Sequence, residues 1–204
     1  MLCAVAYVVM LAGRISIVPG LEFLKYDPKD VVIVMGGFAF GPLAAFAMSA
    51  IVSVLEIPVS SSGIWGCLMN ILSTCAFAVT ASYIYKKKRT LAGAVAGLVS
   101  GIFAATTVML LWDYIVLPIY MGMPREAVVP YLLPSILPFN LLKTSINAAL
   151  AFLLYKPFMA ALRRAGFAEK KEDGAKHRFN AFIPIAALVI VTCVLIILSM
   201  NGII

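Results

Sequence analysis

The run Val31-Val32-Ile33-Val34-Met35-Gly36-Gly37-Phe38-Ala39-Phe40-Gly41-Pro42 opens an uncharged tract that continues to Leu55. Taken whole, residues 31–55 make one membrane span. However, Gly36-Gly37 weakens such a helix and Gly41-Pro42 marks a turn or break within it. Divided there, Val31 to Phe40 becomes a short helix of about 15 Å at the helical rise per residue. A half-length element is tolerated in a membrane when it is buried against neighbours or lines a cavity. The choice sets the topology. With the division, four crossings precede the basic cluster at Lys86 and put the amino terminus on the cluster's side; without it, the amino terminus lies opposite. We read the tract as divided at Gly41-Pro42.

Outward from this tract the whole chain has the same character. Of its 204 residues, 63% are hydrophobic and only 12% charged, against about 25% charged in a soluble domain. Uncharged runs recur at Val31 to Leu55, Ile57 to Tyr85, Thr90 to Trp112, Ala127 to Leu142 and Phe179 to Ile204. A span needs about 20 mainly apolar residues, so the chain reads as an all-α polytopic membrane protein. Met1 enters an apolar run without a basic leader, so the first residues read as a membrane helix and not as a signal peptide. The net charge of +7 is concentrated at Lys86, Lys87, Lys88 and Arg89, and between Arg163 and Arg178. Those are short connections between apolar spans, where the positive-inside bias places cytoplasmic loops. The distribution argues against a nucleic-acid partner and for a lipid bilayer.

A first helix is expected from Met1 to Val18, ended by Pro19-Gly20. The segment Leu21 to Asp30 then mixes aromatic and charged residues, and Pro28 biases Asp27 toward extended geometry. Asp30 is placed to cap the next helix. The fourth helix is expected over Ser61 to Tyr85, and the fifth over Thr90 to about Pro118. The fifth carries Gly93, Gly97, Ser100 and Gly101, small residues that let backbones approach closely in lipid. Met121 to Ser135 holds three prolines and is expected to fold back over one face of the bundle. The sixth helix is expected over Ile136 to Leu162 and a seventh over Phe182 to Ile203. The domain reading is a six-helix body over residues 1–165, a charged linker over 166–179, and an additional transmembrane helix over 180–204.

No catalytic nucleophile–base constellation, zinc motif or phosphate-binding loop is present in the sequence. Energy for uphill movement must then come from an ion gradient or a partner ATPase. The intramembrane polar inventory is Arg14, Asn70, Asp113, Asn140, Lys143 and Asn147. Lys143 is the only charge between Glu126 and Lys156, and Asn140 shares its helical face. A charge at that depth costs roughly 2.5–3.5 kcal/mol on insertion scales and needs a polar partner or a wet cavity. Asp113 enters from the same side. Asp113 and Lys143 either form a structural ion pair or flank a ligand. Asn70 fits an interhelical hydrogen bond or a ligand contact, and Arg14 fits an outward-snorkelling end of the first helix. Phe23 and Tyr26, with Asp27 and Lys29, fit either interface aromatics or a lid over a ligand.

Three stretches carry a resemblance: Leu24-Lys25-Tyr26-Asp27-Pro28-Lys29-Asp30, Gly36-Gly37-Phe38-Ala39-Phe40-Gly41-Pro42 and Leu137-Pro138-Phe139-Asn140-Leu141-Leu142-Lys143. Together, over roughly residues 1–165, they resemble the riboflavin-specific S component of energy-coupling factor (ECF) vitamin transporters. The resemblance implies a six-helix membrane fold that binds its vitamin beneath the first loop. It also implies docking on a transmembrane coupling protein with two cytoplasmic ATPases, and toppling in the membrane to release vitamin inside. By position it implies that Asn140 and Lys143 contact the polar part of the flavin. Asn70 matches a polar position of the fourth helix, and Phe23, Leu24, Lys25 and Tyr26 match the loop over the ring system, with Asp27 following. Asp113 stands where the family commonly has Asn. The family's coupling-protein contact uses small residues four apart on the first helix; here Ala4 is followed by Val8. The seventh helix lies outside the six-helix pattern.

The expected function is therefore a riboflavin-binding subunit of an ECF-type importer in a bacterial cell membrane. Riboflavin is its cargo and not a cofactor, and the chain itself is not expected to be an enzyme. The rival readings are an S component for another vitamin or a flavin nucleotide, and a stand-alone secondary transporter coupling ions through Asp113 and Lys143. An integral-membrane enzyme ranks behind both.

Overall fold

The computed structural model describes residues 1–16, 24–60, 63–122, 124–166 and 176–200. Its helices are α1 (Leu2–Gly13), α2 (Lys29–Phe40), α3 (Pro42–Glu56), α4 (Gly63–Lys88), α5 (Leu91–Met121), α6 (Arg125–Tyr131), α7 (Leu137–Arg164) and α8 (Lys176–Met200). Between α1 and α2, β1 (Ile15–Ser16) pairs antiparallel with β2 (Lys25–Tyr26), Ile15 opposite Tyr26. Among the described residues, four stretches are long and apolar enough to cross a membrane: Pro42–Val59, Gly63–Lys88, Leu91–Met121 and Arg125–Leu162. The protein is an all-α, multi-pass membrane bundle.

The division at Gly41-Pro42 is real, and it is sharper than a kink. Gly41 adopts φ +95°, backbone that only glycine takes without a steric penalty. Pro42 then starts α3 at the position where its missing N–H goes unused. The chain folds back, bringing Ala45 and Met48 of α3 against Gly37 and Gly36 of α2. The start of α2 and the end of α3 therefore lie at the same end of the bundle, where Lys29 pairs with Glu56. Nearly every side chain of α2 is buried, from Lys29 to Phe38, which is how a 12-residue helix is tolerated at membrane depth.

Around this hairpin the long helices alternate in direction. α4 runs away from the shared end to Lys88, and α5 returns beside it. Their backbones touch closely: a Cβ on Gly97 would lie 2.5 Å from the Ala81 carbonyl oxygen, and one on Gly101 2.8 Å from that of Phe77. The small-residue face read in the sequence is thus the α4–α5 seam. α7 then descends from the shared end and α8 climbs back along it. The principal core joins α2, α3, α4, α5 and α7 through residues such as Ile33, Val52, Phe77, Ala94 and Ala151.

Several boundaries differ from expectation, each for a local reason. α1 stops at Gly13, because Arg14 leaves the helix for carboxylates described below. The segment 17–23, including Pro19-Gly20 and Phe23, lies outside the described residues. Pro28, and not Asp30, caps α2; Asp30 sits inside the first turn with its side chain buried. α5 continues through Pro118 to Met121 and ends on Gly122 at φ +64°. Met121 to Ser135 is no plain loop: it holds α6 and a π-helical turn, Leu132–Ile136, that feeds directly into α7. α8 starts at Lys176, six residues before Phe182.

Candidate functional site

Six ionisable side chains meet where α1 ends, α2 starts and α3 returns. Arg14 is 16% exposed, and Asp27, Lys29, Asp30, Glu56 and Lys143 are all buried. Each comes from a different local cause. Arg14 follows the end of α1, Asp27 follows β2, and Lys29 and Asp30 open α2. Glu56 closes α3 just before Pro58, and Lys143 sits two turns into α7.

The contacts alternate in sign. Glu56 pairs with both Arg14 and Lys29 and accepts a hydrogen bond from Asn70 Nδ2 at 2.9 Å. Asp27 lies 3.1 Å from Arg14 Nε and 3.5 Å from Lys29 Nζ, as ion pairs without hydrogen-bond alignment. Asp30 accepts from Thr74 Oγ1 at 2.7 Å and from Asn147 Nδ2 at 3.3 Å, and lies 3.8 Å from Lys143 Nζ. Asn147 also donates to the Asp27 backbone carbonyl at 3.3 Å. Three cations thus face three carboxylates, with amide and hydroxyl groups completing the set. Burial of charge requires such pairing and hydrogen bonding.

Beside this network lies a narrow cavity. Its walls include Leu24, Lys25, Asp27, Asn70, Asn140 and Lys143, together with Arg14, Met69, Met109 and Phe139. It encloses about 480 Å³ of empty space counted to its open mouth, of which about 20 Å³ takes a water-sized sphere. Asn140 is fixed on the wall by donating to the Ile136 carbonyl at 2.9 Å. Tyr26 borders the network, its hydroxyl buried without a hydrogen-bond partner among the described residues. Burial first, then the charges of Asp30 and Asp27, push its phenol above the ordinary tyrosine range, so it remains a donor.

The site residues read from sequence are mostly brought together here: Leu24, Lys25, Asp27, Asn70, Asn140 and Lys143 share one cavity. Phe23 lies outside the described residues. Asp113 does not pair with Lys143, whose carboxylate neighbour is Asp30. It lines an adjoining groove with Trp65, Trp112 and Tyr120, next to Gly66 and Met69, which the two hollows share. Its Oδ2 has no hydrogen-bond partner among the described residues. Arg14 does not snorkel outward but turns into the network. Ala4 and Val8 lie on an exposed face of α1. Sequence reasoning missed Glu56, Thr74 and the inward roles of Lys29, Asp30 and Asn147. The available signal was the alternating Asp27-Pro28-Lys29-Asp30 directly before an apolar helix.

Residues 1–155 match the family model described as ECF transporter, substrate-specific component. Over 179 residues the chain is 30% identical to "Riboflavin transporter FmnP" of Bacillus subtilis (strain 168), covering 81% of this chain and 93% of that protein. Over 171 residues it is 29% identical to "Riboflavin transporter RibU" of Staphylococcus aureus (strain TCH60), covering 80% and 89%. Among solved structures, that of "Structure and mechanism of the S component of a bacterial ECF transporter" matches with a TM-score of 0.67 and 30% identity. It covers 80% of this chain and 94% of that one.

Proposed function

The chain belongs to the substrate-specific components of ECF transporters, and on that premise we propose that it binds riboflavin and delivers it inward with an ATP-hydrolysing coupling module. The observation that carries the proposal is the cavity beside a charge-balanced network. Arg14, Lys29 and Lys143 are matched by Asp27, Asp30 and Glu56, so among the described residues this buried network needs no charge from a ligand to balance it. Riboflavin is uncharged at neutral pH, with a flat apolar ring system and a polyol chain. Leu24, Met69, Met109 and Phe139 offer apolar wall to the rings. Asn70, Asn140 and Lys143 offer hydrogen bonds to ring carbonyls or ribityl hydroxyls. Asp113, in the adjoining groove, is an acceptor for the far end of the polyol. The names of the two relatives support the same vitamin.

A tricyclic ligand needs more room than the closed cavity has, so binding requires its walls to part. The segment Leu24–Asp27 is the wall made of loop and not of membrane helix, and it is the one we assign to move. The basic residues Lys86 to Arg89 lie at the opposite end of the bundle from the cavity. The positive-inside bias puts that end in the bacterial cytoplasm, and the cavity then opens outward. Without a phosphate-binding loop in its sequence, the chain depends on a coupling protein and two ATPases. The exposed face of α1 at Ala4 and Val8 is the surface we assign to the coupling protein.

Purification from riboflavin-fed cells should give a yellow protein whose extracted ligand has the mass of riboflavin. Vesicle uptake should require the ATPase partners and survive collapse of the proton gradient. A colourless protein that takes up no riboflavin on titration would refute the proposal.

A further inference from the structure

α8 lies beyond the residues matched by the family model, and its packing is uneven along its length. In the half nearer the basic end, Ala186 is buried in the principal core and Val189 packs against it, but with Ile185 they also line an open apolar crevice of about 230 Å³ shared with α5 and α7. In the half nearer the cavity the fit is close. Cys193 is buried with Leu142 and Ile146 of α7. Ile197 packs against that group, and also against a second one formed by Leu24, Leu117, Val128, Ile136 and Phe139. Tyr26 packs against the same two groups. Leu24 and Phe139 are at once members of the second group and walls of the cavity. The far side of α8 is exposed, with Val191 at 54% and Leu195 at 50%.

The geometry points to α8 as a positioning element for the cavity wall: Cys193 and Ile197 complete the apolar seat on which Leu24 and Tyr26 rest. The seat is shared between α7, which carries Asn140 and Lys143, and α8, none of whose described residues lines the cavity. Holding the Leu24–Asp27 segment down is then a task separate from contacting ligand. α8 sets how often that segment lifts, and so sets the rates of ligand entry and release. The inference rests on the riboflavin reading only for the identity of the ligand.

The test uses the full chain with Ile197→Ala, and Val191→Ala on the exposed face as control. Hydrogen exchange of the backbone amides of residues 24–27, measured without ligand, reads lifting directly. Exchange there should quicken about tenfold in Ile197→Ala and stay at the parent rate in Val191→Ala. Riboflavin release should quicken about as much in the first variant and not in the second. If Ile197→Ala does not fold, Ile197→Val provides a milder cut at the same contact. Exchange equal to the parent's, or quickened equally by Val191→Ala, overturns the inference. The exchange rates decide the matter even if the parent binds no riboflavin, an outcome that removes the functional proposal alone.

Discussion

Glu56→Gln is the substitution that probes the charged network most directly. The side chain is buried, and its two oxygens hold Arg14, Lys29 and Asn70. Glutamine keeps the shape and removes the charge. Two cations are then left with Asp27 alone, at 3.1 Å from Arg14 Nε and 3.5 Å from Lys29 Nζ. A unit pair at such a separation is worth about 5 kcal/mol at an effective dielectric of about 20, before desolvation is counted. Removing one partner of a buried pair costs about 3–5 kcal/mol. Because Asp27 still faces both cations, the expected loss is near the lower end, about 3 kcal/mol. Stability would be read from reversible denaturation in detergent micelles. Lys29→Met should cost a similar amount alone, yet the double variant should recover about 0.5–3 kcal/mol relative to the sum, the usual range for residues in contact. A Glu56→Gln protein as stable as the parent, or strictly additive single and double variants, would refute the account of the network.

Lys143→Ala and Asn140→Ala should each weaken riboflavin binding by about 1–3 kcal/mol, the cost of a lost buried polar contact; unchanged titrations for both would remove them from the site. Asp113→Asn should keep most of the affinity, since the amide oxygen still accepts a hydroxyl, whereas Asp113→Leu should lose it; equal binding by both variants would detach Asp113 from the ligand. Gly97→Val should destabilise the bundle by about 1–3 kcal/mol or more, since its side chain would overpack the seam, with a Cβ 2.5 Å from the Ala81 carbonyl oxygen. Thermal unfolding of that variant at the parent's midpoint would contradict the close α4–α5 approach.

What could be read from the residues alone follows a physical rule. Lys143 announced itself because a lone cation in apolar surroundings has few explanations, and Asn140 followed from helical spacing. Gly41-Pro42 was legible because a break in an otherwise uncharged tract needs that chemistry. Glu56 and Lys29 were hidden by their positions at the ends of apolar tracts, where a charge is ordinarily solvated. They are buried only because the hairpin folds its two ends together, which no local pattern shows. Arg14 was misread for the same reason: the end of a membrane helix normally meets water, and here it meets two carboxylates. Asp113 and Lys143 share an end of the bundle, but their helices point them into different hollows, and azimuth about a helix axis depends on packing. α5 outran its expected end because Pro118, one turn from a left-handed glycine cap, shortens nothing.

The hairpin also bears on the order in which the chain can be assembled as it leaves the ribosome. By the time α3 is made, the buried cluster holds Arg14 and Lys29 against Asp27, Asp30 and Glu56, one negative charge in surplus. α4 gives Asp30 a hydrogen bond from Thr74, but the surplus stays until α7 supplies the Lys143 cation, with Asn147 as a further donor. The nascent bundle therefore carries an unmatched carboxylate at the spot where its late-arriving helix must dock. A cation four residues off register on that helix would leave the surplus uncancelled, so Asp30 works as a key that admits α7 in one vertical setting.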